Sequence, residues 1–162
     1  MFESRQGYAN MKIKLDTIKE GLNEFEGTFR KKALDIDCLQ KDVTARLNII
    51  KKGKKVEIKG KLDFCLTFNC SRCLNDFTCE FCEEIDTLFL PGFSGAPGKE
   101  GLSDEDLLIS FYDGHEINLL SLICDTILLT IPMKPLCSES CKGLCPSCGK
   151  DLNEGSCECN LK

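Results

Sequence analysis

Tryptophan is absent from the chain, histidine occurs once and tyrosine twice in 162 residues. With His115 alone, a two-histidine metal-hydrolase motif is impossible, and any cysteine–histidine mechanism would have to run through that one residue. His115 follows Asp113-Gly114, so it reads as a surface turn residue. Long apolar runs are also lacking. The best candidate for a membrane span, Leu119 to Ile131, is broken by Ser121, Asp125 and Thr126. Residues 1–10 are polar, without the apolar centre of an export signal, and read as a flexible leader. These absences argue against membrane insertion and export and point to a cytoplasmic protein. No phosphate-cradling glycine loop, nucleophile elbow or paired acid–base constellation is visible, so no enzymatic activity and no small-molecule substrate are expected. The acidic Asp104-Glu105-Asp106 run reads as a helix start or loop edge.

Against these absences stand thirteen cysteines. An odd number without an export signal argues against a disulfide scaffold and for metal ligation in a reducing compartment. Hydrophobic residues make up 42% of the chain, enough to build a core. The net charge of −5 is unevenly distributed: residues 30–61 carry eleven basic and four acidic side chains. Such a local excess matters for a polyanion, because attraction is screened beyond about 8 Å at physiological salt.

The alternation of apolar and polar residues predicts a mainly β, α+β fold with an antiparallel sheet. Residues 11–21 and 24–30 suggest two early strands. Val43, Ala45, Leu47 and Ile49 alternate with polar neighbours, Lys51 to Lys55 form a basic turn, and Val56, Ile58, Leu62, Phe64, Leu66 and Phe68 resume the period. A third long strand keeps Phe77, Cys79, Phe81, Ile85 and Phe89 on one face, making an antiparallel meander. Residues 91–103 are rich in glycine, proline and serine and predict a flexible loop, followed by a possible strand over 107–112. Asn118 is a candidate N-cap for a helix near 119–130, with Leu119, Leu122, Ile123, Ile127 and Leu128 on one face and Pro132 and Pro135 beyond its end. The β-rich domain is placed at 11–135 and a Cys-rich, zinc-ribbon-like tail at 136–162.

In that tail, Cys145-Pro146-Ser147-Cys148-Gly149 has the form of a metal knuckle: two thiolates three positions apart grip one ion, and the glycine lets backbone amides turn toward the sulfurs. Two more thiolates are needed, from Cys157 and Cys159 or from Cys137 and Cys141. A second knuckle, Cys70-Ser71-Arg72-Cys73, lies between two long strands. Cys79 and Cys82 could complete it, but strand phase sends their side chains to opposite faces. Cys79 then reads as core and Cys82 as surface. The arithmetic that satisfies both knuckles puts Cys145, Cys148, Cys157 and Cys159 in one site and Cys70, Cys73, Cys137 and Cys141 in the other, pinning the tail to the sheet. One or two structural Zn²⁺ ions are the expected cofactor. Cys38, Cys65 and Cys124 remain as small buried or half-buried residues.

Arg30, Lys31, Lys32, Lys51, Lys52, Lys54, Lys55, Lys59 and Lys61 would lie along phosphates if strand geometry gathers them. Otherwise they are a solvated edge whose lysines prevent sheet-to-sheet association. If the chain touches RNA, the hairpin lysines Lys51, Lys52, Lys54 and Lys55 are the candidates.

Cys70-Ser71-Arg72-Cys73-Leu74 after a long strand, then Leu136-Cys137, Cys141-Lys142-Gly143-Leu144-Cys145-Pro146, Cys148-Gly149, Leu152-Asn153 and Cys157-x-Cys159, together resemble the YceD family of large ribosomal RNA subunit accumulation proteins. The resemblance runs from Met11 onward; Cys79, Cys82 and the leader depart from the family pattern. It implies a bacterial, cytoplasmic, non-enzymatic ribosome biogenesis factor needed for accumulation of 23S ribosomal RNA. Its partner would be large-subunit ribosomal RNA or a large-subunit ribosomal protein, and its metal structural. Two alternatives arise from the residues: a thiol–disulfide redox sensor cycling Cys70 and Cys73, with Arg72 lowering a thiol pKa, and a protein-docking adaptor without RNA contact.

Overall fold

Period-2 burial carries the fold. Val43, Ala45, Leu47 and Ile49 on one strand, and Val56, Ile58, Leu62, Phe64, Leu66 and Phe68 on the next, all face the core, while most of their neighbours face outward. The computed structural model describes residues 12–92 and 109–159. In chain order the elements are β1 (Lys12–Lys14), β2 (Gly21–Phe29), α1 (Lys31–Leu34), β3 (Val43–Lys52), β4 (Lys55–Asn69), β5 (Asp76–Pro91), β6 (Ile109–Tyr112), β7 (Glu116–Asn118) and α2 (Leu119–Thr130). The main sheet has the order β2-β3-β4-β5-β6, with the first four strands a continuous antiparallel meander.

Several sequence expectations change at the edges. The sheet is mixed, because β6 lies parallel to β5. The early strand expected over 11–21 shrinks to β1, which leaves the main sheet and pairs with β7 in a separate two-stranded ladder. Pro91 belongs to β5 and pairs with Tyr112, so the chain is still extended there rather than looped. This terminal position tolerates a residue with no backbone donor. The leader over 1–10, the remainder of the expected loop from 93 to 103 and the Asp104-Glu105-Asp106 run lie outside the described residues.

Helix α2 closes over the sheet. Asn118 caps it, its side-chain oxygen accepting from the amides of Leu120 at 3.1 Å and Ser121 at 3.4 Å. Leu119, Ile123 and Ile127 are fully buried and Leu122 is half-buried against the core. Leu128, expected on the same face, is 54% exposed. It sits next to Ile127 around the helix, and the 100° step per residue turns it out of the contact. Replacing Asn118 with alanine leaves two first-turn amides without their acceptor. A loss of about 1 kcal/mol is expected in the denaturant midpoint of the whole chain; no change would mean that the cap is redundant. No described helix is long and apolar enough to cross a membrane.

The β4–β5 ribbon is the longest feature, with strands of 15 and 16 residues. At about 3.3 Å per residue its two ends stand roughly 45 Å apart. One end is the two-residue turn Gly53-Lys54, which joins β4 to β3; the other is the Cys70–Cys73 knuckle, which joins β4 to β5. Near the knuckle, Phe64 stacks on Phe81 at 5.4 Å between ring centroids and Phe68 meets Phe77 at 5.8 Å. Phe77 touches both the main core and the cysteine cluster, so aromatic packing stiffens the ribbon up to the knuckle.

Candidate metal centres and the basic hairpin tip

The first knuckle is made by the chain reversing between β4 and β5. The Leu74 amide donates to the Cys70 carbonyl at 2.9 Å and Leu74 adopts a left-handed φ of 61°, which turns the backbone amides inward. Residues 135–144 then wrap around it. The Ser71 amide donates to the Pro135 carbonyl at 2.8 Å and the Leu144 amide to the Arg72 carbonyl at 3.1 Å. Gly143 permits that approach. Its φ is +73°, and a Cβ there would stand 2.9 Å from the Arg72 carbonyl oxygen. The wrap brings Cys137 and Cys141 onto the knuckle, with Cys70–Cys141 sulfurs 3.8 Å apart and Cys73–Cys137 sulfurs 3.7 Å apart.

The second knuckle repeats the local plan. The Gly149 amide donates to the Cys145 carbonyl at 2.9 Å, and Gly149 has φ +74°. Lys150 Nζ donates to the Ser156 carbonyl at 3.0 Å, which folds the following loop back so that Cys157 and Cys159 reach Cys145 and Cys148. In each set the four sulfurs lie within 4.8 Å of one another. The structure thus assembles the two quartets that the spacing suggested: Cys70, Cys73, Cys137 and Cys141, and Cys145, Cys148, Cys157 and Cys159.

The donor chemistry fits a soft divalent ion. A tetrahedral tetrathiolate with metal–sulfur bonds of about 2.3 Å spaces its sulfurs about 3.8 Å apart, the separation seen in the first set. Amides of Cys137, Cys73 and Arg72 directed at Cys70 hold its thiol down to about 6. Those of Cys148 and Ser147 do the same for Cys145, also to about 6. Within the same sets, the hydrogen bond with Cys70 pushes Cys137 up to about 12, and that with Cys148 pushes Cys159 up to about 12. Crowded thiols resist a second charge, and a dication removes that resistance. Each set offers four protein thiols, the number a structural tetrahedral site takes.

Arg72 lowers the Cys70 thiol through its backbone amide and not through its side-chain charge. Its guanidinium donates to the carbonyls of Glu139 at 3.1 Å and Cys141 at 2.8 Å, tying the tail to the knuckle. The lowering at Cys70 comes from backbone amides. Cys79 packs half-buried against the core, whereas Cys82 is exposed on the opposite face, where its hydrogen bond to Asp63 raises its thiol. Cys65 is buried, and Cys38 and Cys124 are half-buried. His115 is exposed in the β6–β7 turn. Asn75, Asp151 and Asn153 bridge the two cysteine sets and carry no spacing signature of their own; only Leu152-Asn153 stands within a longer motif.

The basic stretch is not gathered. Lys31 and Lys32 sit on α1 beyond the Phe29 end of β2, whereas Gly21 at the other end of that strand pairs with Lys51. Lys59 pairs with Glu57 at 2.8 Å and Asp86 at 3.2 Å, Lys61 with Glu84 at 3.3 Å, and Arg46 with Asp63. Lys51 donates to the Leu15 carbonyl at 2.8 Å. What remains at the tip is Lys52, Lys54 and Lys55, all exposed and in no ion pair among the described residues. Their backbone is anchored: Tyr112 Oη donates to the Lys54 carbonyl at 2.7 Å, and the Gly53 amide donates to Glu20.

Two comparisons with known proteins bear on these features. The sequence model of a family described as "Large ribosomal RNA subunit accumulation protein YceD" matches residues 58–162, which include both knuckles and all eight clustered cysteines. A protein of Arabidopsis thaliana named "Large ribosomal RNA subunit accumulation protein YCED homolog 1, chloroplastic" is 30% identical, over 72% of this chain and 43% of its own length. The chain therefore spans less than half of that relative. No solved structure matches.

Proposed function

The chain belongs to the YceD family, and on that premise we propose that it is a non-enzymatic ribosome biogenesis factor that supports accumulation of large-subunit, 23S ribosomal RNA. Each cysteine quartet holds one structural Zn²⁺, and the lysines at the β3–β4 tip contact RNA phosphates. The observation that carries the division of labour is the separation of the two ends of the ribbon. Two four-cysteine sets occupy one end, and three exposed lysines, in no ion pair among the described residues, occupy the other. A zinc tetrathiolate carries two negative charges, which would repel RNA nearby. Across roughly 45 Å of strand, several times the screening length of about 8 Å, that repulsion does not reach the tip. The ion pairs of Lys59 and Lys61 favour the tip over the sheet face as the contact.

The test is crosslinking of the tagged chain in cells, followed by sequencing of the attached RNA. Large-subunit precursor RNA should be enriched, and the triple substitution Lys52→Glu, Lys54→Glu, Lys55→Glu should abolish the enrichment. In vitro, removing three phosphate contacts should flatten the dependence of log affinity on log salt by on the order of two for single-stranded RNA. A blank crosslinking result from a folded, metal-loaded chain would favour the docking adaptor instead. Redox cycling of Cys70 and Cys73 is disfavoured by their place in a quartet with Cys137 and Cys141, whose sulfurs all lie within 4.8 Å of one another; as ligands to one ion, both thiols would be engaged.

A further inference from the structure

The two cysteine sets share a short stretch of backbone. Cys141 belongs to the first and Cys145 to the second, and the chain between them is locked to the loop that closes the second set. Leu144 and Asp151 form an isolated antiparallel bridge, and the Leu152 amide donates to the Gly143 carbonyl at 2.9 Å. Asn153, midway between Cys148 and Cys157, reaches out of its own loop into the other set. Its Oδ1 accepts from the Lys142 amide at 2.8 Å, and its Nδ2 donates to Asp151 Oδ1 at 2.7 Å and to the Cys141 sulfur at 3.4 Å. Asp151 Oδ2 accepts from Asn75 Nδ2 at 2.8 Å, and the Asn75 carbonyl accepts from the Cys70 amide at 2.9 Å. A hydrogen-bonded path thus runs from the first knuckle through the second set's loop and back to a sulfur of the first.

We propose that Asn153 is a positioning residue that couples metal binding at the two sites: metal in the second set closes the 148–157 loop and so holds the Asn153 amide against the Cys141 thiolate of the first. The inference rests on the reading that both sets hold metal. An N–H donor on a ligating sulfur fixes its orientation and offsets part of its charge, and such outer contacts typically change metal affinity 10- to 100-fold. Because the coupling is a free energy shared by two binding events, metal in the first set must tighten the second by the same factor.

Co²⁺ is the probe, since its sulfur charge-transfer absorption reports tetrathiolate sites directly. The full-length chain is titrated with Co²⁺ against a competing chelator, with far-ultraviolet dichroism to verify the sheet. Three variants are compared: Asn153→Asp, which keeps the acceptor for Lys142 but removes the amide donor, Cys157→Ser/Cys159→Ser, which empties the second site, and the combination. The first two should each weaken Co²⁺ at the first site about 10- to 100-fold and shift its charge-transfer band. In the combination, Asn153→Asp should add little, because the loop that presents it is already open. Unchanged affinity and spectrum at the first site in both variants would overturn the coupling and make the sites independent. Failure of the parent chain to bind two Co²⁺ ions as tetrathiolates would overturn the metal reading itself and the coupling with it.

Discussion

Cys70→Ser should halve the metal content of the protein, from two ions per chain to one by elemental analysis. Cys70 is fully buried, its amide and sulfur are both engaged, and three other thiols converge on it. Serine keeps the volume but supplies neither the soft donor nor the low-pKa thiolate that a closed site requires. The consequence should be local. Residues 133–144 bury little apolar surface of their own: Leu136 and Leu144 pack on the cysteine cluster, and Met133 is fully exposed. Structural zinc sites contribute on the order of 10 kcal/mol to folding of the segments they hold. Without it the tail should detach while the meander persists. Limited proteolysis should then cut between Ile131 and Cys141, leaving a fragment whose β-sheet dichroism is intact. A variant that keeps two ions, or resists cleavage as the parent does, would show that the first quartet is not what holds the tail.

Gly60→Ala should severely destabilise the sheet. Gly60 lies opposite Leu47 in the middle of the β3–β4 ladder. A Cβ there would stand 2.1 Å from the Arg46 carbonyl oxygen and 2.8 Å from Leu47 Cα. Both are backbone atoms, so no rotamer change relieves the clash and the two strands must part. The flanking inward residues, Ile58 and Leu62, are fully buried, so that separation opens the centre of the core. A loss of about 3 kcal/mol or more is expected, a large fraction of the 5–15 kcal/mol typical of a domain. Gly53→Ala is the control. Its Cβ would meet nothing within 4 Å, and only its left-handed φ of 61° is penalised, at about 1–2 kcal/mol. Equal denaturant midpoints for the two variants would refute the argument from close strand approach.

Some of this was legible from residue order alone. A strand with one buried face must alternate, so the inward residues of β3, β4 and β5 could be read directly, and the same phase argument separated Cys79 from Cys82. Asn118 was readable as a cap because a helix start needs an acceptor there. The two quartets were readable because a knuckle constrains its own local backbone and a tetrahedral ion demands four thiols. Leu128 departs from expectation for a local reason, its position around the helix, whereas the misplaced strands depend on pairing that no local pattern reports. β1 pairs with β7 across about a hundred residues, and β6 adds in parallel, neither of which leaves a local period.

The same distinction governs function. Sequence by itself determined the kinds of chemistry: thiolate ligation in sets of four, no histidine pair, and an excess of lysine around the hairpin. Tertiary structure alone decided which of those groups act together. Register sets Lys59 opposite Asp86 and Lys61 opposite Glu84, which neutralises two of the three lysines of β4 and leaves the charge at the tip. The fold of the tail brings Asn153 onto Cys141. The physical reason is that periodicity and spacing report the environment along one segment, whereas charge pairing and ligand positioning depend on the relative placement of segments that only the packed core sets.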